Sequence, residues 1–170
     1  MLKPLSTAYQ RLPGLLQTIC KQTGKQAVLV RPAQPIWLPA MTLDFISDVL
    51  IQLLRNAIAH GIESPDARRA AGKSPQGKIG IEHSLEGLQL KLHFYDDGCG
   101  LQSDKILAAA GENAGADIHE LIFQAGLSTT RTPDLLAGRG IGLDLVRQHN
   151  QQLQGHISVA SGNGGCAFHI

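Results

Sequence analysis

Asp96-Asp97-Gly98-Cys99-Gly100 places two carboxylates and two glycines at the end of a run of alternating apolar residues. A carboxylate fixed there accepts a hydrogen bond from an amine, such as the exocyclic amine of adenine, and the glycines let a planar ring approach the backbone. An ordinary tight turn accounts for the same residues. Gln52, Asn56 and His60 lie one helical turn apart and form a polar stripe opposite an apolar one. The amide oxygen of an Asn on such a stripe is a neutral ligand, suited to a Mg²⁺ held mostly by phosphates and water. The plainer reading is the exposed side of an amphipathic helix. Further on, a hydroxyl-rich stretch with Ser128, Thr129 and Thr130 feeds Gly138-Arg139-Gly140-Ile141-Gly142, which opens a helix. Free amides at a helix start, with its positive dipole end, make a phosphate cradle. A flexible surface loop leaves the three alternating glycines unexplained. A last glycine-rich turn, 162–165, leads into Cys166-Ala167-Phe168.

The elements that must position these groups follow from periodicity. Residues 4–22 read as a helix broken at Pro13-Gly14, and 25–31 as a strand. Thr42 is the expected N-cap of a long helix ending near His60-Gly61, with Leu43, Ile46, Leu50, Leu53, Leu54, Ala57 and Ile58 on its apolar face. A short helix is expected at 65–72. Strands at 78–84 and 88–95 form a hairpin turning at Glu86-Gly87. Short helices follow near 103–110 and 117–124, then an aperiodic stretch at 126–138 and a helix at 141–153. Strands at 156–160 and 166–170 close the chain. A mixed α/β arrangement, one sheet with its helices on one face, accounts best for this order.

Composition narrows the classes. The chain has 170 residues, enough for one domain with a sizeable core. Its net charge of +1, from 15 basic and 14 acidic side chains, excludes a strongly basic nucleic-acid surface and a disordered acidic tail. No apolar run approaches the ~20 residues of a membrane span. The start, Met1 to Leu5, breaks too early for a secretory signal. Cys20, Cys99 and Cys166 are widely spaced without a Cys-x-x-Cys pair, so a reduced cytoplasmic protein without disulfide or zinc framework is expected. Two motifs mislead. Gly72-Lys73-Ser74 imitates the end of a P-loop, but Ala67 stands where its first glycine belongs. Gly138 to Gly142 imitates a dinucleotide fingerprint, but it follows a polar loop and no acidic residue lies about 20 positions on. His83, His93, His156 and His169 alternate with apolar residues and are expected on solvated sheet faces.

Taken together, these segments resemble the ATP-binding domain of the GHKL superfamily (gyrase, histidine kinases and MutL among them), and most closely that of chemotaxis-type, CheA-like histidine kinases. Leu53 to Ile58 with His60-Gly61-Ile62-Glu63 looks like the N box, and Asp96 to Gly100 like the first glycine box. Phe123 to Thr129 looks like the F box, and Gly138 to Val146 like the second glycine box. Arg11 through Lys25 resembles the segment leading into that domain.

The resemblance implies a Bergerat fold, a two-layer sandwich that binds Mg-ATP under a mobile lid at 126–138, with 1–24 as a lead-in. It implies that Asn56 ligands Mg²⁺, that Asp96 binds the adenine amine, and that Gly98 and Gly100 shape the base pocket. His60 would sit near the phosphates beside Gln52. Ser128 and Thr129 would belong to the lid, and Gly138, Arg139, Gly140 and Gly142 would wrap the phosphates. Cys166 stands where the family usually has a Thr that helps the Asp hold adenine through water. Gln52 replaces a usual His, Ala59 an Asp, Cys99 an Arg and Ala125 a Pro. These changes bear on the rate of phosphoryl transfer. The implied reaction moves the γ-phosphoryl of ATP to a histidine on a separate phosphoacceptor domain, with a response regulator downstream and no contact with nucleic acid or membrane. His149, in the last helix, reads as a surface residue rather than the acceptor, so the chain reads as a fragment of a longer signalling protein. A nucleotide-binding adaptor that transfers nothing is the alternative, favoured by Gln52, Ala59 and Cys166. A gyrase- or MutL-type ATPase is disfavoured, since those dimerise through further domains.

Overall fold

The computed structural model describes residues 1–110, 117–123, 143–152, 154–162 and 164–170. The chain opens with a short strand, β1 (Leu2–Pro4), and a 3-10 turn, Leu5–Tyr9. Helix α1 (Leu12–Thr23) follows and stops at Gly24, whose φ of +67° suits a residue without a Cβ. The expected helix over 4–22 is therefore two pieces. Pro13 starts α1 rather than interrupting it, because the first helical turn needs no N–H from it.

Strand β2 (Ala27–Val30) leads to β3 (Trp37–Pro39), which pairs antiparallel with β1 in a ribbon of its own. Helix α2 (Ala40–Asn56) starts directly after Pro39, without a side-chain cap. Thr42 thus lies inside the first turn and is not the N-cap: the fixed φ of Pro39 sets the helix entry two residues earlier. The apolar face expected for α2 is buried throughout. After Asn56 the helix widens into a π-turn, Ala57–Gly61, a distortion often found at functional sites. Helix α3 (Pro65–Ala70) is capped by Ser64, whose Oγ accepts the Ala67 N–H at 3.3 Å.

Strands β4 (Gly77–Glu86) and β5 (Gln89–Asp96) form the expected hairpin around Gly87. Helices α4 (Ser103–Ala110), α5 (Ile118–Leu121) and α6 (Leu143–Gln152) follow, then β6 (Ser158–Gly162) and β7 (Gly165–His169). The last hairpin turns later than expected, since Ser161 and Gly162 still pair, with Cys166 and Gly165. Residues 126–138, the expected lid, lie outside the described residues.

The main sheet has the order β2-β4-β5-β7-β6, with β2 parallel to β4 and the other neighbours antiparallel. Ile79, Ile81, Phe94 and Phe168 on its inner face join Leu50, Leu53, Leu54 and Ile58 in one apolar core. The other face carries Lys78, Glu82, His93, Tyr95 and His169 toward solvent. This is the expected mixed sheet with helices on one face. His83 departs from expectation: it shares the inner parity of Ile79 and Ile81. There its Nε2–H donates to the Gln34 carbonyl and its Nδ1 accepts from the buried Tyr9 hydroxyl, each at 2.8 Å. Burial pushes the Tyr9 phenol well up, which keeps it a donor.

Candidate functional site

Asp96 ends β5 on the inner face, directly across from Cys166 of β7. Its carboxylate is 6% exposed, and Oδ1 accepts the Gly98 N–H at 2.9 Å. Burial drives its pKa up to about 6. The N–H groups of Gly98 and Cys166 work the other way, while the charge of Asp97 adds to the rise. The Cys166 thiol is pushed up to about 12, first by burial and then by the Asp96 charge, so it stays protonated.

The Asp96 turn packs on the π-turn that ends α2. The Cys99 N–H donates to the Gly61 carbonyl at 2.9 Å, and the Cys99 thiol reaches the His60 carbonyl at 3.3 Å. A Cβ on Gly98 would overlap the Gly61 carbonyl and stand 2.8 Å from Asp96 Oδ1. One on Gly61 would stand 3.0 Å from that same oxygen. Gly100 has φ +75°, and a Cβ there would meet Gly162 O and Ser161 Oγ, both at 2.7 Å. The first glycine box is thus required by the chain's own packing around the carboxylate. Lys25 holds the π-turn from the other side, donating to the Ile58 and Ala59 carbonyls at 2.6 and 3.0 Å; burial lowers its pKa.

One turn back along α2, Gln52 Nε2 donates to Asn56 Oδ1 at 3.2 Å, and both side chains are half-buried. His60 is exposed. The structure therefore brings Gln52, Asn56 and His60 along one helix end and sets that end against Asp96, Gly98 and Gly100, with Cys166 alongside. Ser128, Thr129, Gly138, Arg139, Gly140 and Gly142 lie outside the described residues.

The sequence reading missed a knot of charges behind the Asp96 turn. Arg68, only 1% exposed, donates to Glu63 Oε2 and Asp97 Oδ2, both at 3.0 Å. Lys73 donates to Glu63 Oε1 at 2.8 Å, and although burial works against it, this ammonium keeps the Glu63 carboxyl below its usual range. Lys73 is the lysine of the false P-loop, and its place among these acceptors gives it a structural partner set instead. In sequence Arg68 is indistinguishable from its exposed neighbour Arg69; only the tertiary fold separates them.

A buried carboxylate at a strand end, closed in by glycines and facing a distorted helix end with an amide stripe, is the candidate site. With the mixed sheet beneath one helical layer, it defines an α/β ATPase domain of the Bergerat type. The chain belongs to the family described as Histidine kinase-, DNA gyrase B-, and HSP90-like ATPase, whose model matches residues 42–170. Chemotaxis protein CheA of Bacillus subtilis (strain 168) is 34% identical over 98% of this chain and 27% of that protein. The gliding motility regulatory protein of Myxococcus xanthus is 34% identical over 94% of this chain and 22% of that protein. The chain thus spans about a quarter of the length of these relatives. In fold it resembles the catalytic domain of histidine kinase ThkA, with a TM-score of 0.64 over 99% of this chain and 91% of that one at 16% identity. The histidine kinase domain of the blue-light activated kinase from Erythrobacter litoralis EL346 gives a TM-score of 0.58 over 98% of this chain and 59% of that one at 20% identity. No helix among the described residues is long and apolar enough to cross a membrane.

Proposed function

We propose that this chain is the ATP-binding catalytic domain of a cytoplasmic histidine protein kinase. The observation that carries the reading is the buried Asp96 carboxylate, held by Gly98 against the π-turn of α2 in a chain of the histidine kinase-like ATPase family. Asp96 accepts from the exocyclic amine of adenine; guanine would turn a carbonyl oxygen toward it, leaving two acceptors opposed. Gly98 and Gly100 shape the base pocket, with Cys166 beside the carboxylate. Asn56 offers one neutral oxygen, which fits a hard cation that takes its other ligands from phosphates and water. When bound, Mg²⁺ would supply charge neutralisation at the phosphates. His60 lies on the same helix end, toward the phosphates, and Gln52 orients the Asn56 amide. By the family resemblance, Gly138, Arg139, Gly140 and Gly142 would wrap the phosphates, and Ser128 and Thr129 would belong to a lid at 126–138.

In the reaction, the bond from the γ-phosphorus to the bridging oxygen breaks and ADP leaves with that bond's electron pair. The unprotonated ring nitrogen of a histidine on a separate acceptor domain forms the new bond to phosphorus with its lone pair, and the proton on the other ring nitrogen passes to solvent. Such transfer depends on positioning and charge neutralisation, so the domain needs no covalent nucleophile. The phosphoryl group passes onward to a response regulator. A nucleotide-binding adaptor is the second reading, favoured by Gln52, which spends its amide N–H on Asn56 where these kinases usually carry His.

Calorimetry with ATP and GTP, then single-turnover phosphorylation of the acceptor domain, tests both readings. ATP should bind in clear preference to GTP, and label should appear on histidine. Equal affinities would overturn the adenine assignment. ATP binding without labelled histidine would favour the adaptor.

A further inference from the structure

Arg68 and Lys73 each make two hydrogen bonds to the turn that carries Asp96. Arg68 Nη1 donates to the Asp97 carbonyl at 3.2 Å, and Nη2 to its carboxylate at 3.0 Å. Lys73 Nζ donates to the carbonyls of Asp97 at 3.1 Å and Gly98 at 2.8 Å. The remaining Asp97 oxygen, Oδ1, accepts the Lys78 N–H at 2.8 Å. Arg68 Nε anchors the knot to the Ser74 carbonyl at 2.6 Å, and Glu63 bridges the two cations. Two cations face two carboxylates, so the knot is neutral.

A buried ion pair is weak evidence for stability, because desolvation offsets much of the attraction. Its donors here converge on consecutive backbone groups one and two residues past Asp96. Fixing those carbonyls fixes the direction in which the Asp96 carboxylate and the Gly98 N–H face each other. We propose that Arg68 and Lys73 are positioning residues for nucleobase recognition, holding the Asp97-Gly98 backbone so that Asp96 meets the base at one angle and discriminates adenine from guanine. This rests on the reading that Asp96 takes the adenine amine. Neither cation touches the nucleotide; both act through Asp97 and Gly98.

The proposal separates base recognition from phosphate binding. Loosening the turn should therefore cost affinity for the preferred base and leave the weaker GTP binding, which lacks that contact, nearly unchanged. Lys73 is 27% exposed at its side chain and is the variant of choice; Arg68→Ala empties a site that is only 1% exposed, takes the cation from the Asp97 carboxylate and can fail to fold. Lys73→Met is expected to weaken ATP binding about tenfold, the scale of one impaired hydrogen bond. The ATP-to-GTP ratio should fall with it, and Lys73→Arg should restore both. Calorimetry with each nucleotide on the same folded preparations, checked by thermal melting, gives the readout. A Lys73→Met protein that keeps the wild-type ratio, or that loses ATP and GTP binding in equal proportion, overturns the proposal and leaves Lys73 a structural residue. A wild type that binds ATP and GTP equally overturns the adenine reading itself, and this inference with it.

Discussion

The two sides of the candidate site are built in opposite ways. On the turn after β5, the Asp97 carboxylate and the Asp97 and Gly98 carbonyls accept from Arg68 and Lys73, and the Cys99 N–H donates to Gly61. At the end of α2, the Asn56 amide is oriented by one neutral contact from Gln52. A buried carboxylate needs a fixed surround, because its neighbours decide whether it is ionised and where its lone pairs point. A neutral amide at a half-buried helix end carries no such cost. The side proposed to take the base is thus preorganised, while the side proposed to take the phosphates is held by fewer contacts.

The largest effect should come from crowding the fixed side. Gly98→Ala puts a methyl into the Gly61 carbonyl, which is backbone and cannot swing aside, and against Asp96 Oδ1. Relief requires parting the Asp96 turn from the π-turn. We expect a loss of roughly 1–3 kcal/mol in stability, as for other overpacked sites, together with loss of nucleotide binding. Chemical denaturation and calorimetry check it. An unchanged midpoint with intact binding would show that the turn is not held as described.

Asp96→Asn is next, and it sets function against stability. The native carboxyl titrates near pH 6 because it is buried, whereas an unfolded Asp titrates near 3.8. Between those values the folded chain holds a proton that the unfolded chain has released, so wild-type stability falls as pH rises from about 4 to about 6 and stays low above. Asn does not titrate. At pH 7 the variant should gain up to about 3 kcal/mol before nucleotide is added, and the gain should vanish near pH 4. Adenine nucleotide binding should weaken by roughly 1.5–3 kcal/mol, the scale of a hydrogen bond to a charged group. Melting curves across that pH range decide it; a variant less stable than wild type at pH 7 would mean that the carboxylate is better satisfied than its burial implies.

How much of this was legible in the sequence depended on the range of the cause. The apolar face of α2 and the β4-β5 hairpin were readable because periodicity and Gly87 are local signals. The ribbon of β1 and β3 was not: three-residue strands have no period, and their pairing joins segments about 35 residues apart. The cap at Thr42 failed because a hydroxyl is only a weak preference against the fixed φ of Pro39. His83 was legible and misread, for it keeps step with Ile79 and Ile81, and that parity already placed it inward. Asp96 and Asn56 stood out through the family resemblance, since spacing alone fits an ordinary turn and the exposed side of an amphipathic helix equally well. Arg68 could not, because burial of one arginine and exposure of the next is decided by Asp97 arriving from 29 residues along the chain.

The side held by fewer contacts gives the smallest expected change in stability and so the sharpest contrast. Asn56 is the last residue of α2, half-buried, and its Oδ1 takes the Gln52 N–H at 3.2 Å. Asn56→Ala loses that neutral hydrogen bond, worth about 0.5–1.5 kcal/mol, but gains up to about 0.7 kcal/mol of helix propensity. The two nearly cancel, so melting without nucleotide should move little. If the Asn56 oxygen is the ligand that links protein to Mg²⁺, the added affinity that Mg²⁺ gives to ATP binding should disappear in this variant, while the ATP-over-GTP preference set by Asp96 survives. Gln52→Ala removes the same hydrogen bond and leaves the Asn56 oxygen in place, so it should keep most of the Mg²⁺ effect. Titrations of ATP with and without Mg²⁺ on both variants provide the measurement. If Mg²⁺ still tightens ATP binding in Asn56→Ala as in wild type, the metal role is wrong. If Gln52→Ala abolishes the effect as fully as Asn56→Ala, the amide pair works as a fixed unit, and the contrast between the two sides of the site fails at that point.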